Sequence, residues 1–259
     1  MKRTLAFILA LMMCLCLFTA CGGSDSEEPA DDEGSVPADN GGEVDPAQPI
    51  EPSDEIPVWL PQTADAGQEY IDKLVFIGDS TTYGLKAYGV VNDFQVWTPS
   101  SGTLALFNQS IATIVYPKTG EEILIVDAVK DAQPEYLVLT IGVNGVAMMD
   151  EESFKAEYID LIQRIQAASP DTKIICNSIY PVEASYEAQD NGINNAKIDA
   201  ANIWIYDIAE ATGTHYIDCN TVLKGADGCL VPEYGNGDGL HLGTAGFNLV
   251  LNYLRTHAL

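Results

Sequence analysis

Basic side chains are scarce in this sequence: 12 Lys and Arg stand against 38 Asp and Glu in 259 residues, a formal net charge of -26. Two of the 12 are Lys2 and Arg3. The remaining ten cannot build the basic face that a phosphate backbone requires, so a nucleic-acid partner is excluded. Histidine is confined to His215, His241 and His257, which limits imidazole chemistry to three positions. The six cysteines show no spacing that resembles a zinc site. No apolar run reaches the roughly 20 residues of a membrane-spanning helix; the longest stretch lies between Leu5 and Phe18. Phosphate-cradling and hydrolase-elbow signatures are also missing: there is no Gly-Lys-Ser/Thr, no Gly-x-Gly-x-x-Gly at the first turn, and no Gly-x-Ser-x-Gly.

What is present begins with a leader. Lys2 and Arg3, the short apolar stretch and small residues before Cys21 form the pattern of a secretory signal over residues 1-20. Leu17-Phe18-Thr19-Ala20-Cys21 resembles the lipobox of bacterial lipoproteins, with Phe18 where leucine is usual. That resemblance implies a lipidated Cys21, a membrane anchor and an extracytoplasmic location. From Gly22 to Pro57 the chain carries twelve acidic residues, no basic ones, and many Pro, Gly and Ser. Such a segment cannot bury enough apolar surface to offset its ordering entropy, so residues 21-57 are expected to form a disordered tether. Some 36 residues of flexible chain reach about 30-36 Å, further if charge repulsion extends them.

Residues 58-259 read as one folded domain. Short apolar runs alternate with amphipathic stretches, the pattern of a parallel sheet covered by helices on both faces. Strands are expected at Lys73 to Ile77, Phe94 to Thr98, Tyr136 to Ile141, Thr172 to Ser178 and Thr214 to Asp218. Thr119 with Glu122 predicts a capping box before a helix from Ile123 to Ala132. Asp150 predicts a cap for a helix burying Phe154, Tyr158, Leu161, Ile162 and Ile165. Asn194 to Thr212, closed by Gly213, and Thr244 to Thr256 complete the set. Cys176 reads as a buried small hydrophobe, and Cys219 with Cys229 leaves a disulfide open. Trp59, Trp97 and Trp204 are each expected to pack in the core, with Trp97 nearest the strand ends.

Ligands of open α/β sheets bind at the carboxyl ends of the strands, and the chemically suggestive residues fall there. Ser80 follows the first strand, Gly102 the second, Asn144 the third, and Asp238 with His241 the fifth. A serine hydroxyl needs a base to accept its proton, and an imidazole needs an orienting carboxylate. Of the three histidines, His215 has no catalytic partner nearby in sequence and His257 is two residues from the end. His241, three residues after Asp238, is the candidate base. The backbone N-H groups of Ser80 and Gly102 and the amide of Asn144 are candidate donors to an oxyanion. Gly89 competes with Gly102 but precedes its strand. Tyr234 to Gly239 resembles a calcium loop only superficially, because Tyr234 and Ala245 occupy ligand positions.

Gly78-Asp79-Ser80 with Gly84, then Gly102, then Gly142-Val143-Asn144, then Asp238-Gly239-Leu240-His241 resemble four sequence blocks of the SGNH (GDSL-like) hydrolases in order and spacing. The resemblance spans about Leu74 to Leu254. It implies a three-layer α/β/α sandwich with a five-stranded parallel sheet in flavodoxin-like order, and no metal or organic cofactor. It also implies Ser80 as nucleophile, His241 as base, Asp238 as orienter, and Ser80, Gly102 and Asn144 as oxyanion hole. Gly145 departs from the family, which commonly has Asp there. The expected substrate is a short acyl ester, particularly O-acetyl carbohydrate. A lysophospholipid or other lipid ester is the enzymatic alternative, and a non-catalytic glycan- or ligand-binding lipoprotein the other.

Overall fold

A computed structural model describes residues 56–259; the expected leader, Cys21 and nearly all of the acidic tether lie outside the described residues. In chain order the elements are α1 (Gly67–Lys73), β1 (Leu74–Gly78), α2 (Ser80–Ala87), β2 (Val96–Trp97), β3 (Thr113–Val115), β4 (Glu122–Leu124), α3 (Ile125–Ala132), β5 (Tyr136–Thr140), α4 (Glu151–Ala168), β6 (Lys173–Asn177), α5 (Ala184–Glu187), α6 (Asn195–Thr212), β7 (His215–Ile217) and α7 (Thr244–Arg255). Five strands form one parallel sheet in the order β2-β1-β5-β6-β7. This is the doubly wound arrangement expected from the sequence.

Period-two geometry sends successive strand residues to opposite faces, and both faces are apolar. Ile77, Leu137, Leu139, Ile174 and Cys176 pack with α3, α4 and α6. Leu74, Phe76, Tyr136, Val138 and Ile175 pack with α1, α2 and α7. The expected caps hold at two helices: the Asp150 carboxylate accepts from Ser153 N at 2.8 Å, and the Asn194 amide oxygen from Lys197 N at 2.9 Å. Gly213 closes α6 at φ 64°, the left-handed conformation in which a side chain is penalised.

Three local expectations are corrected. The Thr119–Glu122 capping box does not form, because Glu122–Leu124 instead pairs antiparallel with Thr113–Val115. The Glu122 carboxylate accepts from Ser100 N at 3.0 Å, and α3 starts only at Ile125. The second core strand shrinks to Val96–Trp97, since Asp93–Gln95 closes into a 3-10 turn. Gln95 fixes that turn by donating to the carbonyls of Ile71 and Leu74 at 2.6 and 2.8 Å. Trp59 is 49% exposed rather than core, whereas Trp97 is buried and Trp204 packs edge-on against Phe154. Cys176, Cys219 and Cys229 are all buried free thiols, so the 219–229 pair is not bridged.

Candidate active site

β1 ends at Gly78, and the chain turns directly into α2. A Cβ at Gly78 would fall 2.5 Å from the Thr140 carbonyl, so only glycine lets the turn pass this close to β5. Asp79 caps α2: one carboxylate oxygen accepts from Thr81 N at 2.9 Å and Thr81 Oγ1 at 2.7 Å. Ser80 is therefore the first residue of a helix, partly exposed at the carboxyl edge of the sheet. Its N-H belongs to the helix's first turn, where no intrahelical acceptor exists.

The Asp238–His241 loop folds back through its own carboxylate. Asp238 Oδ1 accepts from Leu240 N and His241 N, each at 2.8 Å, which turns the chain and leaves Oδ2 facing the imidazole at 2.7 Å from Nδ1. Gly239 sits at φ 84°, and a Cβ there would come within 3.0 Å of the Tyr186 Cβ. The tight turn and the close approach of α5 both require glycine. Burial works against the Asp238 charge, but the His241 and Leu240 N-H groups and the ring outweigh it and bring the pKa down to about 2. An ionised carboxylate can only accept, so Nδ1 carries the proton. Nε2 of the neutral ring is then the acceptor that meets Ser80 Oγ at 2.8 Å.

The structure thus brings Ser80, His241 and Asp238 into one hydrogen-bonded chain across 161 residues of sequence. In that geometry the imidazole can take the serine proton as Oγ attacks a carbonyl, and the carboxylate stabilises the resulting imidazolium.

The expected oxyanion donors are beside Ser80 but are differently committed. A Cβ on Gly102 would lie 3.7 Å from the Ser80 Cβ, and Gly102 has the left-handed φ of 72°. Its N-H, however, donates to the Pro99 carbonyl at 3.0 Å. Asn144 donates through Nδ2 to Asp79 Oδ2 and to the Leu104 carbonyl, both at 3.1 Å. An amide nitrogen has two hydrogens, so both are engaged and Ser80 N-H remains as the donor without an intrahelical partner. The Asn144 loop holds without an Asp at position 145, since Asp79 and Leu104 fix the amide and Gly145 N closes the turn onto Gly142 O at 2.7 Å.

Asp79 is a site residue the sequence hides, because Asp before a helix reads as an ordinary cap. Its second oxygen is what holds Asn144. Full burial pushes its pKa up to about 6 despite the Thr81 hydrogen bonds.

A cavity of about 260 Å³ opens beside Ser80 and His241, walled by Tyr83, Ala87, Tyr88, Asn236 and Phe247. Ser80, Tyr83, Gly84, Ala87 and Tyr88 lie at i, i+3, i+4, i+7 and i+8, one face of α2 continued by its C-cap residue Tyr88. That spacing is readable from the sequence once Ser80 is placed at the helix start.

Residues 76–249 match the GDSL-like Lipase/Acylhydrolase family. No curated protein matches the chain. Similar solved structures include a Streptococcus pneumonia protein provisionally named a platelet activating factor, at TM-score 0.52 and 22% identity over 71% of this chain and 82% of that one. A GDSL-like lipase from Bacteroides thetaiotaomicron gives TM-score 0.50 and 18% identity over 74% and 89%. A provisionally named acylhydrolase from Bacteroides fragilis gives 0.51 and 18% over 76% and 88%. At these identities the likeness is one of fold.

Proposed function

Because this chain belongs to the GDSL-like lipase/acylhydrolase family, we propose that it is a serine esterase that removes short acyl groups, chiefly O-acetyl, from carbohydrate. The observation that carries the reading is the compact cavity on the imidazole side of Ser80. In ester cleavage the protonated imidazole returns its proton to the departing alkoxide, so a cavity beside His241 receives the alcohol half of the substrate. Its exposed Tyr83 and Tyr88, with Asn236 in the same wall, offer ring faces to the C-H side of a sugar and an amide to its hydroxyls. The family, by its description, also includes lipases, and a lipid ester is the rival substrate.

In the proposed reaction Ser80 Oγ attacks the carbonyl carbon as His241 Nε2 accepts its proton. The tetrahedral intermediate places negative charge on the former carbonyl oxygen. A full negative charge is a stronger acceptor than a peptide carbonyl, so it draws one Asn144 N-H from Leu104 and joins the Ser80 N-H. Collapse breaks the bond to the alcohol oxygen, which takes the proton from Nε2 and leaves acyl-Ser80. Water then repeats the cycle: His241 takes its proton, the acid departs, and Ser80 Oγ recovers the proton. The lipobox-like residues before Cys21 and the acidic stretch after it support an anchor outside the cytoplasm, where polysaccharide esters are met.

The test is covalent. A serine-directed phosphonate is expected to label Ser80, and Ser80→Ala and His241→Ala are expected to lower kcat on p-nitrophenyl acetate about 10⁴-fold or more. Asp238→Asn is expected to lose about 10²- to 10⁴-fold. An unlabelled wild type with no turnover across acyl lengths would defeat the enzyme reading. Faster release from lysophospholipid than from acetylated glycan would defeat the carbohydrate assignment alone.

A further inference from the structure

A second concave surface lies at the far edge of the sheet. Residues 57-60 run beside β7 as an added parallel segment: Leu60 N donates to Tyr216 O at 2.9 Å, and Tyr216 N to Val58 O at 2.7 Å. Trp59, between those two bonds, is held on fixed backbone and is 49% exposed. It stands over Tyr216 at 5.1 Å between ring centroids and Tyr206 at 5.9 Å. Around these rings lies a pocket of about 350 Å³ that also includes Asp199, Asp218 and Lys224. That volume is within the roughly 300-1,000 Å³ of small-ligand sites.

The chemistry narrows the occupant. Trp59 packs on Tyr206 and Tyr216 yet stays half exposed, and with its backbone held by the two bonds its ordering cost is largely met before any ligand arrives. The three rings touch one another at 5.1–5.9 Å with interplanar angles of 49–88°. Tyr216 is 2% exposed and belongs to the core, so the aromatic surface open to a ligand is Trp59 with the half-buried Tyr206, and contacts this close leave no central gap of the kind an aromatic cage for a cation needs. The nearest exposed carboxylate, Asp199, is already paired with the Lys224 ammonium, so the rim has little charge left to attract an ion. What it does offer is donors and acceptors bordering an aromatic face. Asp218, half-buried in the pocket lining, has its pKa raised by desolvation.

We infer that the Trp59–Tyr206 surface is a non-catalytic glycan-binding site that stacks a neutral pyranose ring on the exposed indole and hydrogen-bonds its hydroxyls through Asp199, Lys224 and Asp218. The surface is separate from the esterase cavity. Asp218 follows the carboxyl end of β7, and Ser80 that of β1, three strand spacings away in the sheet order. At about 4.8 Å per spacing the strands are about 14 Å apart. The Trp59 segment lies one spacing further out, about 19 Å from β1, a separation that one polysaccharide chain can span to reach the nucleophile.

The experiment titrates the full chain with cellohexaose, xylohexaose, chitohexaose and maltohexaose by calorimetry and tryptophan fluorescence, with tetramethylammonium as a cationic comparison. At least one hexasaccharide is expected to bind wild type with Kd below about 10 mM, roughly the weak limit such titrations resolve. Trp59→Ala is expected to raise that Kd at least about tenfold and Trp59→Phe to restore part of it. Both variants should keep kcat/KM on p-nitrophenyl acetate within about twofold of wild type, since Trp59 is absent from the catalytic machinery. Ser80→Ala should bind like wild type. No hexasaccharide binding to wild type, a Trp59→Ala Kd equal to wild type, or binding of tetramethylammonium alone each overturns the site. Loss of p-nitrophenyl acetate turnover in wild type bears on the esterase proposal instead, so the two fail separately.

Discussion

The carboxyl of Asp79 is enclosed at the foot of Ser80, and its two oxygens serve different ends: one starts α2 and the other anchors Asn144. Asp79→Asn keeps an oxygen for Thr81 but turns an amide N-H toward the Asn144 N-H, donor against donor. Asn144 then loses its orientation, and kcat is expected to fall about 10²- to 10³-fold, as for Asn144→Ala, with KM little changed. The same substitution has a stability signature. With a native pKa raised to about 6 from the ordinary aspartate value of 3.8, the folded state binds the extra proton between those pH values. Wild-type stability therefore falls as pH rises through that window. Asn does not titrate, so its stability relative to wild type should improve by up to about 3 kcal/mol from pH 4 to 7, measured by denaturant unfolding of both proteins. A constant difference across that range would show that Asp79 is not held protonated. Ser80, Asp238, His241 and Asn144 are legible because each follows a strand and has a nucleophile's, base's or donor's chemistry. Asp79 is not, because its second partner is 65 residues away and its first mimics an ordinary cap.

At the scale of elements, α2 and α7 meet where the cavity is formed. A Cβ at Gly84 would fall 2.4–2.6 Å from the Phe247 ring, and Phe247 is 1% exposed. Neither the ring nor the helix has room to yield freely. Gly84→Ala is expected to cost about 1-3 kcal/mol through overpacking. It should also push Phe247 toward the cavity, raising KM for glycosyl acetates more than for p-nitrophenyl acetate. Unchanged melting temperature and KM would place the contact elsewhere. Long elements such as α4 and α6 were readable because their apolar faces repeat over many turns and their caps are local. The three-residue strands β3 and β4 are too short to show a period, and their pairing across a turn outcompetes the capping signal of Thr119 and Glu122. α1 escapes for the same reason, with only seven residues. Trp59 differs from its sequence expectation because it sits between apolar Val58 and Leu60 but on a segment added at the open edge of the sheet, where its ring is covered on one side by Tyr206 and Tyr216 and exposed on the other.

Across the whole molecule the charge imbalance remains after the acidic stretch is set aside: beyond residue 57 there are 26 acidic and ten basic side chains. The ion pairs among the described residues have exposed partners, such as Lys73–Glu135 and Lys118–Asp131, and contribute little each. Unpaired carboxylates therefore repel one another across a compact body, which lowers the free energy of expansion. Salt shortens the reach of that repulsion from about 30 Å at 0.01 M to about 8 Å at 0.15 M. The surface pairs weaken too, but they are few and individually worth under about 1 kcal/mol. Net repulsion dominates, so added sodium chloride over this range should stabilise the fold. For a domain of this size a gain of about 1 kcal/mol corresponds to roughly 2-4 °C. Calorimetric melts at pH 7 in the two salt concentrations check the sign. A melting temperature that stays level or falls would mean that the local pairs, and not the overall field, govern the electrostatic part of stability.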